Sequence, residues 1–168
     1  MKTLRLLLWE ECPRNCSGCC NKDWDLKTLP CVRVADYVGY DEIILTGGEP
    51  MLYPCKLLQI IHALRSWSEA KLYLYTAQCQ PALLSMLHYV DGLTVTLHEQ
   101  SDVANFDLFN SFRREMFDKY GKKSLRLNIF KGIDTSELNL EDWQVKDNME
   151  WIKNCPLPEN ETFARWDG

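Results

Sequence analysis

The chain has 168 residues, with a hydrophobic share of 46% and a charged share of 26%, an ordinary composition for one globular domain with its own core. Its net charge of −5 argues against a broad electrostatic interface for nucleic acid or for an anionic membrane. The longest apolar run near the N-terminus, LLLW, is too short for a signal peptide or a membrane span, so we expect a cytoplasmic protein with reduced thiols.

Strands and helices alternate along the predicted chain. In chain order the predicted elements are strand 3–9, strand 42–48, helix 55–67, strand 71–76, helix 81–90, strand 93–97, helix 103–120 and strand 124–130. The third helix is expected to start at Ser101 and Asp102 and to stop at Gly121. Val103, Phe106, Phe109, Met116 and Tyr120 keep helical spacing along it, and its aromatic residues are expected to belong to the core. Within a less regular segment, 134–168, a further strand is predicted at 142–146.

Such alternation predicts an α/β fold in which helical crossovers connect parallel strands. In these folds the βα loops gather at the carboxyl ends of the strands, and chemistry is expected there. Two loops stand out on that edge, one after the first strand and one after the second.

The loop after the first strand carries three cysteines in a C-x3-C-x2-C pattern, Cys12, Cys16 and Cys19. Three thiolates on one loop can hold a four-iron cluster by three of its irons and leave the fourth iron free for another ligand. Gly18 would permit the close backbone approach that such a cluster requires. A structural zinc site, with Cys20 or Cys31 as the fourth ligand, is the alternative.

The loop after the second strand reads TGGEP. Gly47 and Gly48 would let a ligand lie against bare backbone, and Pro50 would fix the exit of the loop. An exposed carboxylate on Glu49 would suit a ligand with an ammonium group. Alone the stretch also suits an ordinary turn, but its place beside the cysteine loop makes the pair of motifs more specific.

Through CPRNCSGC (12–19), LTGGEP (45–50) and the order of its elements to residue 133, the chain resembles the radical S-adenosylmethionine (radical SAM) enzymes. The resemblance implies a [4Fe-4S] cluster on the three cysteines, with S-adenosylmethionine chelating the open iron. The cosubstrate would be bound by Thr46, Gly47, Gly48 and Glu49. The resemblance also implies reductive cleavage to a 5′-deoxyadenosyl radical that abstracts hydrogen from a substrate, with an external electron donor of the flavodoxin or ferredoxin type.

Polar residues at the ends of the later strands are further candidates, namely Thr76, Thr96, His98, Glu99 and Asn128. The resemblance implies that this region touches the ribose and the methionine carboxylate, whereas loop groups that face water are the alternative. His98 is a candidate catalytic proton carrier. Cys20, Cys55 and Cys79 are expected to be packing residues, with a redox thiol or an extra ligand as the alternative for Cys55 or Cys79. Beyond the zinc alternative no role is predicted for Cys31, and none is predicted for Cys155.

The substrate is open between two classes. SGCCNK is similar to the activating enzymes of anaerobic ribonucleotide reductase, which implies a glycyl-radical partner enzyme as a protein substrate. A small nucleotide-like metabolite, as for the 7-carboxy-7-deazaguanine synthases, is the alternative within the superfamily. Outside it, the alternative is a non-enzymatic zinc or iron–sulfur binding module.

The length of the chain bears on the fold that the resemblance implies. A complete eight-unit β/α barrel needs about 250 residues, so we expect a partial, open TIM-like barrel of about five to six parallel strands with outer helices. The open mouth would admit a protein substrate or be closed by a second subunit in a homodimer. The polar tail at 156–168 is expected to lie across this mouth or on a partner.

Overall fold

A computed structural model describes residues 1–117 and 123–167. Its strands are β1 (Thr3–Leu7), β2 (Cys31–Val32), β3 (Glu42–Thr46), β4 (Lys71–Thr76), β5 (Gly92–Leu97), β6 (Ser124–Phe130), β7 (Gln144–Met149) and β8 (Glu161–Trp166). Its α-helices are α1 (Pro54–Trp67), α2 (Ala82–Leu87) and α3 (Asp102–Phe117). None of the helices in the described ranges has the length and hydropathy needed to cross a membrane.

The strands form one parallel sheet in the order β2-β8-β1-β3-β4-β5-β6-β7. The α/β class and the parallel sheet are therefore confirmed, and the strands predicted at 71–76 and 124–130 have the observed bounds. The predicted count of five to six strands is wrong, because the described residues contain eight. The strand predicted at 142–146 is β7, whereas β2 and β8 were not predicted. Closure of this sheet into an open barrel stays a prediction.

The main core lies where the helices cover one face of the sheet. The buried side of α1 consists of Leu57, Ile60, Ile61 and Leu64, which recur at helical spacing. Strand register brings Leu6 opposite Leu45, and Leu45 opposite Leu74, so that apolar rows run across the sheet beneath the helices.

In α3 the predicted face is only partly buried. Phe106 and Phe109 belong to the core, whereas Met116 in the last turn, which keeps the same helical spacing, is 50% exposed. Helical phase alone does not say how far along a helix its packing partners extend. Tyr120 and Gly121, the predicted end of this helix, lie outside the described residues.

The C-terminal tail differs most from expectation. Within this tail, Glu161–Trp166 form β8, a strand of the sheet that pairs with β1 from Thr3 opposite Glu161 to Leu7 opposite Arg165. This pairing satisfies the second edge of β1, whose backbone groups would otherwise lack partners in the sheet. Leu7, Leu29 and Phe163 then form a second, smaller core.

We predict that Phe163→Ala lowers the free energy of unfolding by about 3 kcal/mol, because it empties the core that joins β8 to β1. Phe112→Ala is the matched control, since Phe112 is 47% exposed on α3 and should cost at most about 0.5 kcal/mol. Denaturant unfolding of both variants measures the difference. Equal stability of the two would contradict the placement of the tail in the sheet.

Candidate functional site

The two motif loops meet at the carboxyl edge of the sheet, because β1 and β3 are neighbouring parallel strands. The Leu8 N–H donates to the Thr46 carbonyl over 2.9 Å. Beyond it the Gly48 N–H donates to the Trp9 carbonyl (2.7 Å) and the Glu49 N–H to the Glu11 carbonyl (2.9 Å). The TGGEP loop is therefore bonded through its main chain to the residues that lead directly into Cys12.

Both glycines of this loop are required by the approach of the protein's own backbone. A Cβ on Gly48 would lie 2.0 Å from the Glu11 carbonyl oxygen, and one on Gly47 would lie 2.7 Å from the Trp9 carbonyl oxygen. The predicted close approach exists, but at these positions the main chain of residues 9–11 makes it. A role of Gly47 and Gly48 in binding a ligand stays a prediction.

Glu49 is 3% exposed, so the expectation of an exposed carboxylate is wrong. The carboxylate turns inward because it caps the turn at Pro50–Leu52, accepting the Met51 N–H over 2.9 Å. It also accepts the Thr76 hydroxyl and, over 2.9 Å, the Ala77 N–H at the end of β4. Burial raises the pKa of Glu49, and these hydrogen bonds and the nearby charge of Arg14 oppose the rise.

The three motif cysteines are free thiols, with Cys12 exposed and Cys16 and Cys19 half-buried. Partial burial raises the pKa of Cys12, and a hydrogen bond from the Arg14 backbone opposes this rise. The Glu49 carboxylate lies close enough to raise the pKa further by charge repulsion. Cys16 and Cys19 act on the Cys12 pKa in the same direction. The two motifs therefore lie on the same side of the molecule.

Three free cysteines on one loop fit, as a donor set, the ligation of an iron–sulfur cluster. Within residues 1–117 and 123–167, however, no group of three or more His, Cys, Asp or Glu side chains is arranged so that it could hold a metal ion. The fourth ligand of the zinc alternative has little support, because Cys20 forms a disulfide with Cys155. Cys31, the other candidate, is exposed on β2 and accepts a hydrogen bond from Arg165.

The remaining cysteines differ from expectation in two places. Cys20 was expected to be a packing thiol, but it is bonded to Cys155 with the Cα atoms 5.5 Å apart. That expectation is wrong because the chain returns to the cysteine loop after β7, 135 residues later. Cys55 is exposed rather than packed, whereas Cys79 is half-buried and burial raises the pKa of its thiol.

The polar residues at the later strand ends occupy three separate positions. Thr76 is buried and belongs to the Glu49 network. Thr96 and Asn128 lie opposite each other on β5 and β6, with the Asn128 amide nitrogen 3.4 Å from the Thr96 hydroxyl. Glu99 is exposed, and its Oε1 lies 3.7 Å from the Arg14 guanidinium. The structure thus brings Thr76 to Glu49 and Glu99 to the cysteine loop.

His98 lies in an aromatic stack. Its ring is nearly parallel to the Trp151 ring, with the two centroids 5.3 Å apart. The centroid of the His98 ring also lies 5.0 Å from the centroid of the Phe130 ring. Its Nδ1 is buried without a hydrogen-bond partner among the described residues. Burial lowers the pKa of His98, and the charge of Arg14 lowers it further. The charges of Asp102 and Glu99 act in the opposite direction and raise it. These surroundings favour the neutral ring; the proton-carrier role stays a prediction.

Sequence reasoning missed three residues of this site, Arg14, Asp102 and Trp151. The Arg14 guanidinium contacts both oxygens of Asp102, one of them over 3.0 Å. Trp151 packs on Gly18, where an added Cβ would lie 2.3 Å from the Trp151 Cγ. Arg14 lies inside the cysteine motif, which was a usable signal, whereas nothing local marks Trp151.

Comparison of the chain with protein-family models, with curated proteins and with solved structures found no match. The features of the site that bear on its function are its free cysteines, its glycine contacts and its buried carboxylate.

We predict that Gly48→Ala lowers the free energy of unfolding by about 2–3 kcal/mol, because the new methyl group would overlap the Glu11 carbonyl. Gly39→Ala is the matched control, since a Cβ there meets nothing within 4 Å. This control variant should be as stable as the wild type or more stable by up to about 1 kcal/mol. Thermal or denaturant unfolding compares them, and a Gly48→Ala protein as stable as Gly39→Ala would refute the backbone contact.

Glu49 should make stability depend on pH in a defined direction. Because burial raises its pKa above 4.5, the stability it contributes is fully present below pH 4.5 and is lost as pH rises through the raised value. Glu49→Gln has no such titration, so the wild type should lose stability relative to this variant as pH rises from 4 to 8. Urea unfolding at several pH values measures this difference, with Glu115→Gln as the surface control, because Glu115 is exposed on α3. A difference independent of pH would contradict the buried carboxylate.

Proposed function

We propose that this protein is a radical SAM enzyme. The observation that supports it most is the direct bonding of the TGGEP loop to the residues before Cys12, at the carboxyl edge of a parallel sheet. Free cysteines at the required spacing and an acidic residue beside them are thus joined in one place. Two unrelated motifs that fall side by side are more specific than either motif alone.

In this proposal Cys12, Cys16 and Cys19 hold the cluster, and Cys20, which is already bonded to Cys155, does not. When bound, a [4Fe-4S] cluster supplies the electron that cleaves the sulfonium C–S bond of S-adenosylmethionine and so yields the radical that abstracts hydrogen. The protein orients the cysteine loop through the backbone contacts of Gly47 and Gly48. Glu49 fixes the second loop against β4 through its buried hydrogen bonds.

The substrate class stays part of the proposal. An activating enzyme would form a tight complex with a partner protein and transfer one radical per partner. An enzyme for a nucleotide-like metabolite would instead turn over many times on a free small molecule. In both cases the electron would come from an external donor of the flavodoxin or ferredoxin type.

Anaerobic reconstitution tests the proposal. We expect a brown protein with about four iron atoms per chain that cleaves S-adenosylmethionine to 5′-deoxyadenosine under a strong reductant. Serine at Cys12, Cys16 or Cys19 should abolish both iron binding and cleavage, because each thiolate is a ligand. Iron analysis, absorption spectra and chromatography of the nucleoside product measure these outcomes.

Cys55→Ser is the matched control, since Cys55 is an exposed thiol outside the motif and should leave iron content and cleavage unchanged. A colourless protein that binds zinc through the same three cysteines would identify a non-enzymatic module. A brown protein that never cleaves S-adenosylmethionine would also overturn the proposed activity, while leaving the cluster in place.

A further inference from the structure

Besides the Cys20–Cys155 disulfide directly after it, the cysteine loop is held from outside by two non-covalent contacts, one on each side of Cys16. On one side the Arg14 guanidinium donates to Asp102 at the start of α3, with Nη1 3.0 Å from Oδ2 and Nη2 in contact with Oδ1. On the other side the Trp151 ring rests on Gly18, where there is no room for a Cβ. A loop without a core of its own takes its shape from such contacts.

Asp102 is fixed independently of Arg14. The residue is 6% exposed, and Oδ2 accepts the His98 N–H over 2.8 Å and the Glu99 N–H over 3.1 Å. Its carboxylate therefore organises the turn between β5 and α3. A buried carboxylate of this kind needs a cationic partner, and the two-point contact from Arg14 supplies one.

The two attachment points are joined through His98. Asp102 fixes the backbone of His98, and the His98 ring stacks on Trp151 at an interplanar angle of 12°. Trp151 in turn packs on Gly18, four residues after Arg14. These contacts therefore connect Arg14 to Gly18, and both residues lie in the cysteine loop.

We propose that Arg14 and Asp102 are a positioning pair that holds the cysteine loop in place against the turn after β5. Neither residue is a ligand; the pair acts by placing Cys12, Cys16 and Cys19. In its consequence for cluster binding this inference rests on the proposed function, but the loop position itself can be tested without any metal.

The first experiment measures amide hydrogen exchange in the metal-free protein. Because a charge-assisted contact is lost, Arg14→Gln and Asp102→Asn should each speed exchange at residues 15–19 about tenfold. Exchange at residues 98–101 should stay near the wild-type rate, because the His98 and Glu99 N–H groups keep an acceptor oxygen. Asp102→Asn keeps an oxygen for the backbone N–H donors of the turn, so it removes the ion pair without removing those hydrogen bonds. Arg14→Lys should lie between wild type and Arg14→Gln, because an ammonium group cannot make the two-point contact.

Arg113→Gln is the matched control. Arg113 is buried on the same helix and donates to Asp142 over 2.8 Å, so its loss removes a comparable ion pair away from the cysteine loop. Arg113→Gln should lower global stability without selectively speeding amide exchange at residues 15–19. Unchanged exchange there in both Arg14→Gln and Asp102→Asn would overturn the proposal, as would equal acceleration in Arg113→Gln.

The second experiment follows the reconstituted protein. Loss of a group that orients the ligands should shorten the half-time of iron release to a chelator about tenfold in Arg14→Gln. The double variant Arg14→Gln/Asp102→Asn should lose no more than the worse single variant, since both changes break one pair; additive losses would overturn the pair. If the wild type takes up no cluster although both single variants loosen the loop, the proposed function fails and the positioning pair stands. If the wild type holds a cluster and Arg14→Gln releases iron at the same rate, the positioning pair fails and the proposed function stands.

Discussion

The packing of Gly48 against the main chain of Glu11 is the constraint on which the rest of the site depends. A Cβ at this position would lie 2.0 Å from a backbone oxygen, a distance that no rotamer change can relieve. The glycine therefore lets the chain leaving β1 and the loop leaving β3 share main-chain hydrogen bonds. Because Cys12 follows Glu11 directly, the position of the first cysteine is set by a neighbouring strand as well as by its own. The two motifs are one structural unit.

Glu49 extends this unit to β4. Two opposing effects act on its carboxylate: burial favours the protonated form, and donors from Met51, Thr76 and Ala77 favour the charged form. Because three donors already bond to it, this carboxylate is not a free anionic group. It fixes the geometry of its loop, so a ligand that sought the charge itself would have to compete with these hydrogen bonds. The loop thus presents a preorganised backbone, and its buried acid keeps it in that shape.

The elements that sequence could predict are those whose own periodicity carries the signal. Strand 71–76 alternates buried and less buried side chains, and α1 repeats its apolar residues at helical spacing, so both were found with nearly correct bounds. β8 was missed because only Phe163 and Ala164 are buried in it, and it gains its place from pairing with β1. The inward turn of Glu49 could not be predicted either, since two of its three donors, Thr76 and Ala77, lie at the end of another strand. The Cys20–Cys155 bond joins positions 135 residues apart, which no local pattern reveals.

The same distinction applies to the cysteine motif. Its spacing specifies the donors, but the place of those donors depends on residues that come much later in the chain. Asp102 lies 88 positions after Arg14, and Trp151 reaches Gly18 from the segment after β7. A peptide with this spacing alone would offer three thiols on a loop free to sample many shapes, at the entropic cost that ordering any loop carries. The fold removes much of that cost in advance, because the ion pair and the stacked ring already restrict the loop. The position of the three thiols is therefore tested at Asp102 as well as at the cysteines themselves.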